Sequence, residues 1–344
     1  MNIKATAAVT AVFAFFALAS AANAAKAPEK VRIGIYYGSN SINSVNISSD
    51  KGMQIGSVKD SKFTPFVNET AESTLTVRKD ADLHIMLGSG CTDYAAAKAQ
   101  VDAIKQKGVN AYAAYVDTWQ VWTGFYADAN SAQADIANLQ KNLGNGTYTV
   151  IPSDNSRIAA VDLSGLTIVF GGASHFNVSP VSDSTLKLDK KGYRGDLEVR
   201  RFTGSDMTVI NSVALDQYLY GVVPSEIEAD SNSEALKAQA VAARTYTIVN
   251  LGKYAKYDFD LDTTTACQVY GGITAENPSS NKAVDETKDK FITYNSEPAE
   301  VFYFASSGGR TADSKSVWGE EIPYLKSVDD KYEKNHSNWE VTMT

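Results

Sequence analysis

One passage concentrates the side chains able to do chemistry. Residues 215–226 read LDQYLYGVVPSE, an apolar segment that runs into Pro224 and stops at a carboxylate, Glu226. A short polar loop follows, and then SNSEALKAQAVAARTY from Ser231 to Tyr246. This second stretch reads as an Ala-rich helix over 233–250, opened by an S-x-x-E capping pattern from Ser231 to Glu234. Lys237 and Arg244 stand seven residues apart, about two helical turns, so both cations share one helix face. A loop carboxylate beside a cationic helix face is an acid/base arrangement suited to an anionic or polyhydroxylated ligand.

The rest of the chain offers little competing chemistry. Ser184-Thr-Leu-Lys187 fits S-x-x-K and Ser153-Asp-Asn155 fits S-D-N. Their order is reversed from the penicillin-binding pattern, no K-T-G follows, and Ser184 falls in an expected strand, so both are read as coincidence. His84, His175 and His336 have no metal-ligand spacing, and no G-x-S-x-G, H-E-x-x-H or phosphate-loop pattern occurs. Neither a metal nor a cofactor is expected.

The elements that must position Glu226 follow from periodicity. Val31 to Tyr37 reads as a strand, and Ser44 to Val58 continues in β character. From Asp82 to Val150 the order is strand, helix, strand, strand, helix, strand. The first helix is closed by Gly108; the second is capped by Asn130 or Ser131 and ended by Gly144. From Ser156 the chain is β-rich again, with MTVINSVALDQYLY read as a strand and Gly and Asp turns pointing to a barrel-like or sandwich body. VFYFA at 301–305 reads as a further strand, followed by the small polar turn Ser306-Ser307-Gly308-Gly309. The fold class is α+β: a β-rich catalytic body with a packed Ala-rich helix, plus a small βαββαβ domain. The expected boundaries are 1–24 for a leader, 25–80 for an N-terminal β segment, 81–150 for the small domain and 151–344 for the catalytic domain.

Lys4, the apolar run Ala5 to Ala19 and Ala22-Asn23-Ala24 read as a cleaved secretory signal peptide, so the mature chain is expected outside the cytoplasmic membrane. The abrupt stop at Thr344 reads as a truncation. Net charge is −8 with a pI near 5.0, which disfavours nucleic acid as a partner. Two cysteines, Cys91 and Cys267, are too few for a disulfide framework and are expected as free or buried thiols.

Five ordered motifs then carry a resemblance. They are YLYGVVPSE at 218–226, EALKAQAVAARTY at 234–246, DTTTACQVYGG at 262–272, ITYNSEPAEVFYFASSGGRT at 292–311, and the pair VWG at 317–319 and PYLKSV at 323–328. Together they resemble the SpoIID/LytB family. The resemblance implies a lytic transglycosylase acting on peptidoglycan glycan strands freed of stem peptides, with Glu226 as the acid/base. Such an enzyme needs one carboxyl group. As acid it protonates the leaving glycosidic oxygen; as carboxylate it takes the proton of the muramoyl 6-hydroxyl, closing a 1,6-anhydro ring without water. Ordinary glycosidases need two carboxylates. Candidate substrate contacts are Lys237, Arg244, Gln268, Tyr270, Tyr303, Ser306 and Ser307. The implied alternative is a non-catalytic, glycan-binding enhancer of a cell-wall amidase, and an amidase or other engulfment proteins are the expected partners beside the glycan.

The segment 82–150 resembles the SPOR glycan-binding domains through its paired Ala-rich helices and the stretch Trp119-Gln-Val-Trp122-Thr-Gly-Phe-Tyr126. That resemblance implies binding of the same naked strands, with some of Trp119, Trp122, Phe125 and Tyr126 facing outward by strand alternation. Several positions depart from the SpoIID/LytB pattern. Ala266 stands where relatives carry His before the Cys, which argues against a metal at Cys267. Glu228 and Ser231 replace a usual Pro and aromatic, and Phe304 or Ala305 stands in place of a His.

Overall fold

A computed structural model describes residues 27–333, apart from 60, 61, 70–72, 164, 166, 173, 174, 183 and 203. The expected signal peptide and chain end lie outside the described residues. The first half of the chain forms β1 (Lys30–Tyr36), β2 (Ser44–Ser49), β3 (Met53–Lys59), β4 (Lys62–Glu69), β5 (Ser73–Lys79), β6 (Leu83–Leu87), α1 (Tyr94–Lys105), β7 (Ala111–Val116), β8 (Thr118–Tyr126), α2 (Ala129–Leu143) and β9 (Tyr148–Ile151). The second half forms β10 (Ile158–Asp162), β11 (Thr167–Gly171), β12 (His175–Pro180), β13 (Leu186–Leu188), β14 (Lys191–Tyr193), β15 (Asp196–Arg201), β16 (Met207–Ala214), α3 (Leu215–Glu226), α4 (Ser233–Val249), β17 (Leu261–Asp262) and α5 (Pro278–Glu286).

The α+β class holds, but the β body is not a barrel. Seven strands form one open sheet in the order β17-β1-β16-β15-β12-β3-β4, and ten form a second in the order β14-β13-β2-β5-β10-β11-β7-β8-β6-β9. One hydrophobic cluster draws on both, including Ile33, Ile55 and Val199 from the first and Ile47, Val77 and Ile168 from the second. Ring contacts bridge them: Phe66 meets Trp119 edge-on at 4.7 Å, and Phe170 meets Phe176 at 5.6 Å.

The βαββαβ pattern is present, with sheet order β7-β8-β6-β9 and α1 and α2 on one face. Its edge strand β7 also pairs in parallel with β11, so the unit shares a continuous sheet with strands on either side of it in sequence. The aromatics of β8 alternate as the pleat requires, but both tryptophans face inward: Trp119 joins the main core and Trp122 a smaller cluster on the opposite face with Tyr112 and Val169. Trp122 stacks on His84 at 4.9 Å. Tyr126 bonds Asp135 at 2.6 Å, and only Phe125 of the four is classed as exposed, at 38%.

Helix caps fall beside the expected residues. Asp128 caps α2 by accepting from Ser131 N–H, and Asn232 caps α4 by accepting from Glu234 N–H, so the capping box from Ser231 does not form. The segment VALDQYLY is part strand and part helix, because β16 ends at Ala214 and α3 begins at Leu215. The segment 301–304 is not a strand.

Two charge networks brace the sheets. On the seven-stranded sheet Arg32 bonds Glu198 at 2.7 Å and Asp258 at 3.2 Å, while His175 bridges the same carboxylates and Arg200 also meets Asp258. At the foot of β6, buried Asp80 accepts from His84 and Arg157, each at 3.0 Å, and Arg157 reaches the Asp82 carbonyl at 2.6 Å. Burial alone would raise the Asp80 and Glu198 carboxyls. Hydrogen bonds and charge from His84 and Arg157, and from His175 and Arg32, outweigh it and hold both below their usual range. Their stabilising contribution is therefore complete above the ordinary carboxylate range and disappears as pH falls through the lowered folded values. The thermal midpoint should be level from neutral pH down to about 5 and drop below about 4. Asp80→Asn leaves buried Arg157 unpaired, so it should cost about 3–5 kcal/mol at pH 7 and flatten the acid limb. An acid limb as steep in Asp80→Asn as in the parent chain would remove Asp80 from this role.

Candidate active site

Glu226 is the last residue of α3, and the path of that helix explains its position. Leu215, Tyr218, Leu219, Val222 and Val223 are buried at helical spacing and anchor α3 beneath β16. Pro224 lies inside the last turns and supplies no N–H, while Ser225 Oγ donates back to the Gly221 carbonyl at 2.9 Å. The chain leaves the helix at Ile227 in an extended conformation. The half-buried Glu226 side chain thus lies at a helix end facing the loop 263–272.

That loop approaches very closely. Gly271 N–H donates to the Gly221 carbonyl at 3.1 Å, and a Cβ on Gly221 would stand 2.7 Å from the Tyr270 ring and 3.0 Å from the Gly272 carbonyl. The approach brings the Val269 N–H to Glu226 Oε1 at 2.8 Å. Tyr303 lies on the same carboxylate and donates to Gln268 Oε1 at 3.0 Å. Burial first, and then the charge of Glu226, push the Tyr303 phenol above its ordinary range, so it stays a neutral hydroxyl at working pH. Gln268 is fully buried and donates to Thr247 at 3.0 Å and Tyr218 at 3.4 Å. Tyr270 is also buried and donates to Asn211 at 2.9 Å.

The structure therefore gathers Glu226, Gln268, Tyr270 and Tyr303 at one place. Of these, Glu226 and Tyr303 are the partly accessible pair, and Gln268 and Tyr270 lie beneath them as supports. Lys237 and Arg244 do share a face, as their spacing predicts, but α5 covers that face. Arg244 is 1% exposed and bonds Asp216 at 3.0 Å and the carbonyls of Thr287, Val284 and Lys290 at 2.9–3.2 Å. Lys237 bridges Glu286 at 2.7 Å and Glu234 at 2.9 Å. Bonds from Glu286, then Glu234, hold its ammonium above the ordinary lysine range. Ser306 and Ser307 are elsewhere engaged: both hydroxyls bond the Glu333 carboxylate, which also accepts from Ser307 N–H at 2.9 Å. These serine hydroxyls push the Glu333 carboxyl down to about 2.

Two further carboxylates, Glu228 and Asp262, belong to the segments around Glu226 and Gln268. Glu228 is exposed. Asp262 is buried and accepts from Tyr37 at 2.8 Å, Tyr254 at 3.2 Å and Thr264 Oγ1 at 2.9 Å. Burial works against its charge, but the Tyr37 and Thr264 bonds prevail and keep it below the usual range. Cys91 and Cys267 are free thiols, and burial raises both above the ordinary thiol range. Among the described residues no three His, Cys, Asp or Glu side chains assemble as metal ligands. With Ala266 beside Cys267, the donor set does not fit a metal. The sequence did not reveal the Val269 N–H, a backbone donor placed by a tertiary contact. The motif around it, CQVYGG, was its only signal.

Residues 203–294 match the family model described as SpoIID, stage II sporulation protein. Over that stretch the chain is similar to the SpoIID family, and the stretch contains Glu226, Gln268 and Tyr270. Relatives include an uncharacterized protein of Brachyspira hyodysenteriae, 42% identical over 36% of this chain and 33% of its own length. The Amidase enhancer of Bacillus subtilis is 41% identical over 37% of this chain and 17% of its own. Stage II sporulation protein D of the same organism is 35% identical over 39% and 44%. The aligned stretches thus span less than half of each of these relatives.

Two substitutions test the supports. Gly221→Ala should force the 263–272 loop off α3 and cost about 1–3 kcal/mol by overpacking. The loss should appear together with a displaced Val269 amide signal in NMR; an unmoved Val269 signal would separate that loop from the glycine. Arg244→Met should cost about 3–5 kcal/mol in urea unfolding, because it removes the cation paired with Asp216 and the donor to the Lys290 carbonyl. A loss below about 1 kcal/mol, the range of exposed pairs, would mean that Arg244 is not a strut.

Proposed function

We propose that this chain is an exported peptidoglycan lytic transglycosylase, working in sporulation or cell-wall remodelling on glycan strands freed of stem peptides. The observation that carries the reading is the half-buried Glu226 carboxyl at the end of α3, oriented by the Val269 N–H at 2.8 Å with the Tyr303 hydroxyl beside it. A single oriented carboxyl group suffices for the reaction. It gives its proton to the glycosidic oxygen as the bond to C1 of N-acetylmuramic acid breaks. It then takes the proton of the 6-hydroxyl as that oxygen attacks C1, and the proton cycle closes on the same residue. Fixing one carboxylate oxygen to a backbone donor limits rotation of the group between the two steps. Glu228 is exposed and Asp262 is held by the Tyr37, Tyr254 and Thr264 hydroxyls, which favours one-carboxylate chemistry over hydrolysis, where a second carboxylate must serve water or a covalent intermediate. Among the described residues no helix is long and apolar enough to cross a membrane, which is compatible with an exported chain.

A second reading has its own support: one relative, 41% identical over the matched stretch, is named Amidase enhancer. On that reading the Glu226 site binds glycan and presents it to an amidase without cleaving it.

Incubation with peptide-free glycan strands, followed by mass analysis of the new ends, separates the two. The transglycosylase reading expects 1,6-anhydro ends throughout. Glu226→Gln should lower their formation by at least 10²-fold, within the usual 10²–10⁴ worth of general acid–base catalysis, while glycan binding is kept. Activity of Glu226→Gln within about tenfold of the parent chain would remove Glu226 from the acid/base role. No cleavage by either chain, with equal stimulation of an added amidase by both, would establish the enhancer reading instead.

A further inference from the structure

A cavity away from Glu226 lies between the two sheets. Two adjoining hollows of about 540 and 550 Å³ share Phe66 and Tyr94 as lining residues and form one trough. Its walls are β4, the edge strand of the seven-stranded sheet, and α1; its floor is the face of β7, β8 and β11 in the ten-stranded sheet.

The geometry points to this trough as a binding site for an extended oligosaccharide, a second glycan site built from different elements than those around Glu226. Three half-buried rings line it, Phe66, Tyr94 and Tyr115, packed around the buried Trp119 at 4.7, 5.0 and 5.1 Å. Aromatic rings take the C–H faces of sugars, and polar groups around them take the hydroxyls. The lining sets Lys98 and Lys105 against Asp93, Asp102 and Asp117, with Lys98 and Asp102 paired at 2.7 Å, so neither sign of charge dominates. That balance suits a polyhydroxylated chain better than a phosphate or a nucleic acid. Each hollow alone has the volume of a small-molecule site, roughly 300–1,000 Å³, so the two in series fit several sugar rings rather than one. A peptide added as a strand along β4 is the competing occupant. Pro65 lies within β4 and removes a backbone donor from that strand, which disfavours strand addition.

The trough is not a property of the βαββαβ unit alone. Trp122 is buried, and the rings that line the trough come from β4 as well as from that unit, so the site is completed by residues outside 81–150. The choice of peptidoglycan strands as the natural ligand rests on the functional reading above; the ring-lined trough itself does not.

The test uses the full chain carrying Glu226→Gln, with affinity for peptide-free glycan strands measured by calorimetry. Lys98→Trp sets a bulky ring at the trough from the exposed side of α1, and Phe66→Ala removes a stacking ring. Each should weaken binding at least tenfold, while Lys141→Trp on the exposed side of α2 should bind as the parent does. Circular dichroism confirms that the variants are folded. Unchanged affinity in folded Lys98→Trp overturns the site. Saturable binding of free stem peptide that competes with glycan overturns the choice of ligand. Weakened binding in Lys98→Trp, in a protein whose parent forms no anhydro ends, leaves the trough standing and removes the transglycosylase reading. Anhydro ends from the parent with unchanged binding in the variant does the reverse.

Discussion

The contact on which the site depends is the approach of the 263–272 loop to Gly221. Nothing larger than hydrogen fits there, because a Cβ would meet both the Tyr270 ring and the Gly272 carbonyl. Gly271 then bonds back to the Gly221 carbonyl, and Val269 is delivered to Glu226 one turn further along α3. Beneath this seam Gln268 and Tyr270 tie the loop to Thr247, Tyr218 and Asn211, residues of α4, α3 and β16. The proposed acid/base role of Glu226 requires an orientation that does not wander. Here the orientation comes from backbone packed against backbone, which is stiffer than a contact between two long side chains.

The cations of α4 show the same economy in a different way. Arg244 is a buried hub that gathers the end of α5 and the turn after it onto α4, through the carbonyls of Val284, Thr287 and Lys290. Lys237 clasps Glu286 of the same helix from the solvent side. Both therefore position the helical layer behind Glu226. Charge performs a comparable task in the sheets, where the Arg32 and Asp80 networks cross-link strands distant in sequence. In each network the carboxylates keep their charge because cations and hydrogen-bond donors reach them inside the fold.

Much of this was legible in the sequence, and the exceptions have physical causes. The βαββαβ order, α4 and the first strands follow from hydrophobic periodicity, which local pattern records directly. The caps of α2 and α4 shifted because Asp128-Ala-Asn-Ser and Ser231-Asn-Ser each offer several competent capping residues in a row. Residues 215–220 read as strand because LDQYLY mixes Leu and Tyr without a clear period; burial of one face makes them helical. The tryptophans of β8 look like exposed stacking platforms until the pleat and the flanking layers bury them from opposite sides. Motif singled out Glu226 and Tyr303, which lie together in the fold, but the Val269 donor and the covering of Arg244 by α5 are tertiary events that no local spacing encodes.

The position of β1 has a kinetic consequence. This strand lies between β16 and β17, pairing with residues 207–214 on one side and 261–262 on the other. The platform under α3 therefore joins the start of the described chain to segments made much later. Contacts of such long sequence separation close slowly, since the loop entropy must be overcome before they stabilise anything. Local hairpins such as β3–β4 and β7–β8 can form early, while the seam that orients Glu226 must wait for distant strands to meet. The bed under Glu226 therefore sets late in folding, and a partly folded form holds that carboxyl group without its backbone partner.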